Sequence, residues 1–321
     1  MPPFKLSDPG SMLTLDPAMS EYLRSYDLPL PPLARYGFLR VTSPQKKFRV
    51  SLFSQAWLPN HAIGTVAVLH GYSEHSGNYA QLIGDLVRAQ FAVITFDFRG
   101  HGLSEGPSGH VPLPHTYAED VETVLKEIFP QLLPERPFFL WAHSMGAMVA
   151  LQLLLENRLP QMPAALALTS PLLGFPVLSG MQRVLSKVSP FLARFAPTIP
   201  VAHGLPPEIL SHDESYLARR HEDPLIKRVT TPQWFEATKQ SVEGLQKNAA
   251  KLSPLSPTLL MLAGQEKVTN LSEARRFAFQ AYSGQKHKVI EFPGSFHELE
   301  KESGIRTRVV TESIGWFRSH C

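Results

Sequence analysis

One short segment restricts the fold of this chain more than any other. Within residues 140–153, an apolar run ends in AHSMG, residues 142–146, and passes directly into a helical apolar pattern. The pattern predicts a strand, a sharp turn and a helix, with Ser144 at the apex of the turn. Small residues lie two positions before and after Ser144, where larger side chains would clash as the strand and helix backbones approach each other. We therefore expect an α/β fold with Ser144 at the end of a strand.

The predicted turn also has a chemical consequence. It raises the Ser144 hydroxyl out of the sheet and places the Met145 N–H at a helix N-terminus, where an oxyanion can be bound. The usual pattern for such a turn is G-x-S-x-G, and Ala142 occupies the first small position here. Serine also favours the N-cap of any helix, so a purely structural Ser144 is the alternative interpretation. The remaining motifs of the chain decide between the two.

The composition is that of an ordinary globular protein and disfavours several classes. The 321 residues are 43% hydrophobic and 18% charged, and the net charge of +3 comes without a run of Lys and Arg that would indicate nucleic acid. The single cysteine, Cys321, excludes an intramolecular disulfide and a cysteine metal site. Because we find neither a signal peptide nor an apolar run of about 18 residues, we expect a cytoplasmic protein. We expect no metal and no cofactor, and the sequence does not indicate an oligomeric state.

Short apolar runs alternate with helical patterns over most of the chain. Residues 48–57 alternate in polarity and predict an antiparallel strand, whereas the other runs are continuously apolar, which is typical of parallel strands covered on both faces. Strands alternating with helices predict a doubly wound α/β sheet. The continuous runs are residues 65–70, 91–98, 138–142, 164–170, 258–263 and 288–292, and the helical patterns are 79–90, 117–129, 145–157, 271–282 and 305–319.

Residues 171–254 interrupt this alternation, and we predict a helical cap inserted there after a core strand. We expect Pro190 to divide its apolar stripe into two short helices. Between residues 169 and 207 there is no Asp or Glu, but there are three basic residues. The stripe comprises Met181, Leu185, Val188, Leu192 and Phe195, and the basic residues are Arg183, Lys187 and Arg194. The stripe either packs on the core or forms an apolar, cationic lid near the mouth of a site.

The chain offers Ser144 a base and an acid in loops that follow strands. A serine hydroxyl is a poor nucleophile and needs a base, which in turn needs an orienting acid. His297 has the best position for the base, because its loop directly follows the predicted strand 288–292. Glu266 is the carboxylate nearest the end of the preceding predicted strand, 258–263. The order Ser144, Glu266, His297 is the one expected of a nucleophile on this type of turn.

Other residues offer weaker alternatives. Asp97 also ends a predicted strand, but the sequence after it is typical of a structural turn in which its carboxylate binds loop amides. A surface salt bridge is the alternative role for Glu266. His143 is expected to point away from the site. His70 and His101 precede glycines and are expected to hold loops by hydrogen bonds.

The loop after the first predicted parallel strand supplies a second amide. Gly71 permits the backbone to turn, and the Tyr72 N–H is then the natural partner of the Met145 N–H in binding an oxyanion. We expect Glu74 and His75, which follow, to organise this loop without a chemical role.

Four motifs together carry a resemblance to a known family. HGYSEHSGNY at 70–79, FDFRGHGLSEGPSGHV at 96–111, AHSMG at 142–146 and PGSFHELEKE at 293–302 resemble the monoglyceride lipase and lysophospholipase branch of the α/β hydrolases. HEDPL, residues 221–225, is similar to the cap of that branch. The resemblance runs from about residue 38 to the end, whereas the first residues resemble no family that we can name. It implies an α/β-hydrolase fold: a mostly parallel central sheet with helices on both faces and a helical cap.

The resemblance also implies roles for single residues. By motif position Ser144 is the nucleophile, His297 the base, and Tyr72 and Met145 the oxyanion donors. The family usually has Asp where Glu266 aligns, and a register shifted by one residue would place Lys267 there. The predicted domains are a Pro-rich N-terminal extension (residues 1–35), the core (residues 36–170 and 255–321) and the cap (residues 171–254).

The resulting hypothesis is hydrolysis of the carboxylic ester of a monoacyl lipid, a lysophospholipid or a monoacylglycerol, through an acyl-enzyme. The alternatives on the same fold are a peptidase or amidase, an esterase for small esters, and a binding protein that has lost turnover. Such peptidases place a carboxylate in the cap to hold a substrate amine, and the acid-free interval 169–207 argues against one. The cationic cap points towards a phosphate-bearing head group and towards peripheral contact with a membrane.

Overall fold

A mixed eight-stranded sheet forms the centre of the molecule. The structure is a computed structural model that describes residues 17–29, 34–42, 49–176 and 180–321, without the side chains of residues 180–185. Its strands are β1 (Ala34–Thr42), β2 (Arg49–Trp57), β3 (Gly64–Leu69), β4 (Phe91–Phe96), β5 (Phe138–His143), β6 (Ala165–Thr169), β7 (Val201–Ala202), β8 (Val229–Thr230), β9 (Thr258–Ala263) and β10 (Lys288–Phe292). The sheet order is β1-β2-β4-β3-β5-β6-β9-β10, and β7 pairs with β8 in a separate ribbon.

The sheet is mostly parallel, as the apolar runs predict. Strand β1 pairs antiparallel with β2, and β2 pairs antiparallel with β4. All later neighbours in the sheet are parallel, from β4–β3 through β9–β10. The carboxyl ends of β5, β6, β9 and β10 therefore meet at one edge, where loops can assemble a site.

Helices cover both faces of the sheet. The described helices are α1 (Pro17–Ser25), α2 (Ala80–Arg88), α3 (Thr116–Ile128), α4 (Ser144–Leu155), α5 (Gly180–Phe195), α6 (Glu214–Glu222), α7 (Pro232–Asn248), α8 (Leu271–Ala281) and α9 (Arg306–Arg318). Helices α3, α4, α7 and α8 contribute to the core on one face, and α1, α2 and α9 to the core on the other. Strand β5 serves both: Phe138 and Leu140 face the first core, Phe139 and Trp141 the second. A strand covered on both sides is apolar at every position, which explains its sequence.

Helix α1 lies within the predicted N-terminal extension, yet it packs into the core. Met19 and Leu23 are fully buried, in a cluster with Phe53 and Trp57. The Trp57 indole N–H also donates to the Pro29 carbonyl at 2.9 Å. This part of the extension therefore packs its apolar side chains against the sheet and enlarges the core on that face. Residues 1–16 and 30–33 of the extension lie outside the described part of the chain.

The region predicted as a cap contains α5, α6, α7 and the β7–β8 ribbon, and one prediction about it is wrong. Helix α5 runs unbroken from Gly180 to Phe195 with Pro190 inside it. Proline cannot donate to the carbonyl four residues before it, which here is that of Ser186. The Ser189 hydroxyl donates to this carbonyl instead, at 2.9 Å, and so replaces the missing bond. No helix in the described part of the chain is long and apolar enough to span a bilayer.

The apolar stripe of α5 is open to solvent where its side chains are described. Val188 is 40% and Phe195 is 66% exposed, and Leu192 is half-buried. The side chains of Met181, Arg183 and Leu185 lie outside the described part. Packing on the core therefore does not explain why Val188 and Phe195 are apolar.

Candidate active site

Ser144 occupies a sharp turn between β5 and α4. Its φ of +50° lies in the left-handed region, which is costly for a residue other than glycine and rare outside constrained turns. A Cβ on Gly146 would lie 2.5 Å from the Leu69 carbonyl oxygen, so this position must stay glycine. Ala142, in the other small position, pairs with Leu69 of β3 and Leu168 of β6 and is fully buried. The small position before Ser144 therefore accepts the methyl group of Ala142, whereas the small position after it must be glycine.

The three residues predicted to act together lie within hydrogen-bond distance. His297 Nε2 is 2.9 Å from Ser144 Oγ, and His297 Nδ1 is 2.7 Å from Glu266 Oε2. The three follow β5, β9 and β10, whose carboxyl ends share one edge of the sheet. His297 and Glu266 are each 3% exposed in their side chains, so water barely competes for the bond between them.

The Glu266 carboxylate is also held by the backbone. Its Oε1 accepts from the N–H of Val268 at 2.7 Å and of Thr269 at 3.1 Å. Burial alone would raise the pKa of Glu266, but His297 and these two amides lower it below its ordinary value. Lys267, which a shifted register would place here, instead lies over the Phe296 ring. A charged acid therefore faces the imidazole.

The alternative residues hold loops. Asp97 accepts from the Ser76 N–H and from the Leu103 N–H, both at 2.8 Å. His70 Nδ1 lies 2.7 Å from the Gly71 carbonyl oxygen, and His101 Nδ1 lies 3.0 Å from that of Arg99. These contacts match the turn-stabilising roles expected from the sequence.

Of the two predicted amide donors, Met145 directly follows Ser144 and Tyr72 lines the same cavity as Ser144. The Met145 N–H is in the first turn of α4, where helix amides have no acceptor within the helix. Tyr72 follows the turn at Gly71, where an added Cβ would meet the His143 ring at 2.8 Å. The Tyr72 ring packs on Trp234 of α7, and its hydroxyl donates to the carbonyl of Val229 in β8 at 2.6 Å, so these two elements hold the loop. Within the described part of the chain, neither amide donates to a protein acceptor.

A cavity of about 280 Å³ opens next to Ser144 and His297. Its walls are mainly apolar and come from both the core and the cap. The apolar lining residues include Leu205, Pro207, Leu210, Ile226 and Val268, and the permanently charged cations are Arg220 and Arg228. The basic residues named from the sequence, Lys187 and Arg194, do not line it, and the side chain of Arg183 is outside the described part. The cationic wall therefore comes from a later part of the cap than the sequence indicated.

The comparison with protein families shows to which family the chain belongs. A family model described as serine aminopeptidase, S33 (Hydrolase_4) matches residues 60–304, which covers the nucleophile turn, the cap and the His297 loop. The chain belongs to this Hydrolase_4 family of α/β hydrolases. The resemblance seen in the four motifs is thereby confirmed.

Relatives of this α/β hydrolase carry lipase and phospholipase names. The chain is 24% identical to phospholipase YtpA of Bacillus subtilis over 77% of its length and 92% of the relative. It is 26% identical to monoacylglycerol lipase of Mycolicibacterium smegmatis, over 84% of this chain and 94% of that protein. An uncharacterized abhydrolase domain-containing protein of Dictyostelium discoideum is 25% identical over 84% of this chain, which spans only 28% of that longer protein.

Solved structures agree with this assignment. The crystal structure of monoacylglycerol lipase from Paleococcus ferrophilus superposes with a TM-score of 0.73 at 25% identity, covering 84% of this chain and 99% of that one. Together with the family match, these likenesses identify a serine hydrolase of the lipase and esterase kind.

Behind Ser144, the hydrolase buries an ionic cluster that we did not predict. Lys301 Nζ lies 2.9 Å from Glu298, 3.5 Å from Glu300 and in close contact with Glu74. The Glu74 and Glu298 oxygens and a His143 ring nitrogen lie within 4.8 Å of one another, a spacing that suits a metal ion. The Lys301 ammonium already contacts both carboxylates, so the chain supplies its own cation there. In the sequence, the acidic run after His297 is typical of a solvated segment, and only the fold buries it.

His143 lies between this cluster and the candidate site. Its Nδ1 is 3.0 Å from Thr169 Oγ1, and its ring centroid is 4.8 Å from that of His297. Burial lowers the pKa of His143, but Glu300 and Glu298 more than offset this and raise it to about 9. A protonated imidazole therefore lies directly behind the nucleophile turn.

Proposed function

We propose that the protein hydrolyses the carboxylic ester of monoacyl lipids, lysophospholipids or monoacylglycerols, through an acyl-enzyme. The observation that carries the proposal is that His297 joins Ser144 Oγ at 2.9 Å to Glu266 at 2.7 Å on the wall of a largely apolar cavity. The names of the Bacillus and Mycolicibacterium relatives support a lipid ester as the substrate. The proposal includes neither a metal nor a cofactor.

The proposed mechanism has two symmetrical halves. Ser144 Oγ attacks the ester carbonyl while His297 Nε2 takes the hydroxyl proton, and Glu266 holds the imidazole in the required tautomer. The N–H groups of Tyr72 and Met145 bind the oxyanion of the tetrahedral intermediate. His297 then protonates the departing alcohol, which leaves an acyl group on Ser144. A water molecule, deprotonated by His297, attacks that acyl group, and His297 then gives the proton to Ser144 Oγ as the bond to the acyl group breaks and the fatty acid leaves.

The nucleophile is tested by replacing it. Ser144→Ala should lower kcat by about 1,000-fold or more for release of fatty acid from monoacylglycerol, and abolish labelling by a fluorophosphonate probe. The exposed C-terminal Ser319→Ala is the matched control and should keep full activity. A Ser144→Ala protein with ordinary activity, or a wild-type protein that resists the probe, would contradict the mechanism and favour a binding protein.

A peptidase is the second candidate on this fold, because the description of the matching family model is serine aminopeptidase. Such an enzyme needs a free carboxylate near the nucleophile to hold the substrate amine. Among the described lining residues the carboxylate is Glu298, and Lys301 already binds it at 2.9 Å. We therefore expect that a preparation that cleaves monoacyl esters releases no measurable aniline from aminoacyl anilides. A ratio of activities for long and short acyl chains would separate a lipase from an esterase for small esters.

We also propose that the cap contacts a membrane surface. Phe191, Phe195 and Ile199 are 64%, 66% and 51% exposed, and the two phenylalanine rings lie 4.6 Å apart. Exposed Lys187 and Arg194 flank this apolar face. Apolar side chains beside cations, with no acid between residues 169 and 207, suit the surface of an anionic phospholipid membrane.

Vesicle sedimentation tests this contact. The double variant Phe191→Ser and Phe195→Ser should weaken partitioning into vesicles of anionic phospholipid by about tenfold or more, since each buried phenylalanine contributes roughly 1.5–3 kcal/mol. Phe279→Ser is the control, because Phe279 is 80% exposed but lies on α8 of the core. Equal losses in the two proteins would assign the binding to general hydrophobicity and overturn this part of the proposal.

A further inference from the structure

The cap side of the cavity carries positive charge that is only partly neutralised. Arg220 and Arg228 both line it. The Arg220 guanidinium donates to the Ser73 carbonyl at 3.0 Å and lies 3.5 Å from Glu74, so its charge is shared with the buried cluster. Arg228 is exposed and donates to the His221 carbonyl at 2.7 Å, and within the described residues it forms no ion pair with a carboxylate. Most of its hydrogen-bonding capacity is therefore left for a ligand.

The charges of both guanidinium groups act on a half-buried histidine, His203. Burial, followed by the charges of Arg220 and Arg228, lowers the pKa of His203 to about 4. His203 Nδ1 accepts from the Leu205 N–H at 3.1 Å, so the proton of the neutral ring is on Nε2, which faces Ser73 Oγ at 3.4 Å. The imidazole thus stays uncharged at neutral pH, and the positive charge of this wall comes from the two arginines.

We propose that Arg228, supported by Arg220, is a specificity-determining residue that binds the phosphate of a lysophospholipid. This inference rests on the proposed function and deepens it. The planar fork of a guanidinium matches two phosphate oxygens, whereas the neutral glycerol of a monoacylglycerol offers nothing that needs the charge. Ser144 and Arg228 line the same cavity, so a single-chain lipid can present its ester to one and its phosphate to the other.

The test compares two substrates that differ only in the phosphate. Monoacylglycerol and 1-acylglycerol 3-phosphate with the same acyl chain are supplied in neutral detergent micelles, so that charge on a membrane does not contribute. Arg228→Gln should raise KM for the phosphate ester about tenfold and leave kcat unchanged, with monoacylglycerol affected by less than about twofold. Arg228→Lys, which keeps the charge but loses the fork, should lie between. Arg219→Gln is the matched control, since Arg219 is exposed on α6 and does not line the cavity.

The outcomes separate this inference from the proposed function. An equal loss for both substrates, or no loss for either, overturns the role of Arg228 while ester hydrolysis stands. If inorganic phosphate alone inhibits monoacylglycerol hydrolysis and Arg228→Gln leaves the phosphate lipid unaffected, the site binds free phosphate and the inference is wrong. If wild-type protein cleaves neither lipid, the proposed function fails. Binding of the phosphate lipid to Ser144→Ala, with and without Arg228→Gln, then decides the inference by itself, with a tenfold weaker dissociation constant expected.

Discussion

At the scale of single residues, Glu266 shows how a buried acid orients an imidazole. One carboxylate oxygen accepts from His297 while the other is fixed by the amides of Val268 and Thr269. Under the proposed mechanism, Glu266→Gln should lower kcat by about 10³–10⁴, because an amide nitrogen facing Nδ1 favours the wrong tautomer. Steady-state kinetics on monoacylglycerol would measure this, and Glu273→Gln, in the first turn of α8, should leave kcat unchanged. A Glu266→Gln enzyme within tenfold of wild type would contradict the orienting role.

His143 gives the molecule a dependence on pH that differs from ordinary acid unfolding. Because Glu300 and Glu298 raise its folded-state pKa to about 9, its charged form stabilises the native state. That contribution is complete below the unfolded pKa of about 6.5 and is lost as pH rises through about 9. Urea unfolding should therefore show a larger fall in stability between these pH values for wild type than for His143→Gln. Parallel curves for the two proteins would show that His143 is neutral throughout.

The residues of the candidate site differ in how far the sequence reveals them. Ser144, Glu266 and His297 each follow a predicted strand, so local pattern and chain order were enough to bring them together. Lys301 and Arg220 could not be found in this way, because they are far apart in the sequence and neither belongs to a spacing with a known chemistry. Their partners are set by tertiary burial, which a single sequence does not display.

At the scale of elements, the strands were the easiest part to predict and the cap the hardest. Strands buried on both faces are apolar throughout, and β5 and β9 coincide with the predicted runs to within a residue. The sequence predicted two short helices where α5 is continuous, because proline usually ends a helix. Here the Ser189 hydroxyl donates to the carbonyl that Pro190 cannot reach. The boundaries of the predicted core and cap remain a proposal, because helix α7 packs against α4 of the core as well as against α5.

The hydroxyl of Ser189 makes a testable contribution to α5. Ser189→Ala removes the hydrogen bond of its hydroxyl to the Ser186 carbonyl and the contact with Glu236, so we expect a loss of about 1–2 kcal/mol in local stability. In a Pro190→Ala background the backbone N–H returns, and the same substitution should cost less. Native-state hydrogen exchange of α5 amides would measure both. An identical cost in the two backgrounds would show that only the contact with Glu236 matters.

At the scale of the whole molecule, α6 and its flanking loops join the cap to the core through polar contacts. Asp223 accepts from the Tyr26 hydroxyl at 2.8 Å and lies 2.9 Å from His75 Nε2. These contacts connect the cap to the residue that follows α1 and to the loop that follows β3. Glu302 accepts from the Ser211 hydroxyl at 2.6 Å and the His212 N–H at 2.7 Å. Helix α5, by contrast, packs chiefly on α7. The half of the cap that carries the basic cavity wall is therefore attached directly to the core, whereas the described residues of the half with the exposed phenylalanines pack chiefly on α7.

Lys301 also takes part in the contact between core and cap. It is buried between Glu74 and Glu298, and its ammonium also lies 5.2 Å from the Tyr216 ring of the cap. Lys301→Met keeps the volume but removes the cation between Glu74 and Glu298, which then have, of the described cations, only Arg220 and His143 at 3.5 Å, and this should cost about 3–5 kcal/mol in urea unfolding. Lys288→Met is the control, because it breaks an exposed pair with Glu312 and should cost no more than about 1 kcal/mol.

A second substitution shows whether the cost arises from charge. If the uncompensated carboxylates cause the loss, Glu298→Gln should recover part of the stability of Lys301→Met, although Glu298→Gln alone destabilises the wild type. The double-mutant cycle would then give a coupling energy of at least about 1 kcal/mol. Strict additivity would mean that the pairing of Lys301 with Glu298 does not cause the loss. In that case this pair contributes little to the attachment of the cap, and the hydrogen bonds of Asp223 and Glu302 contribute more.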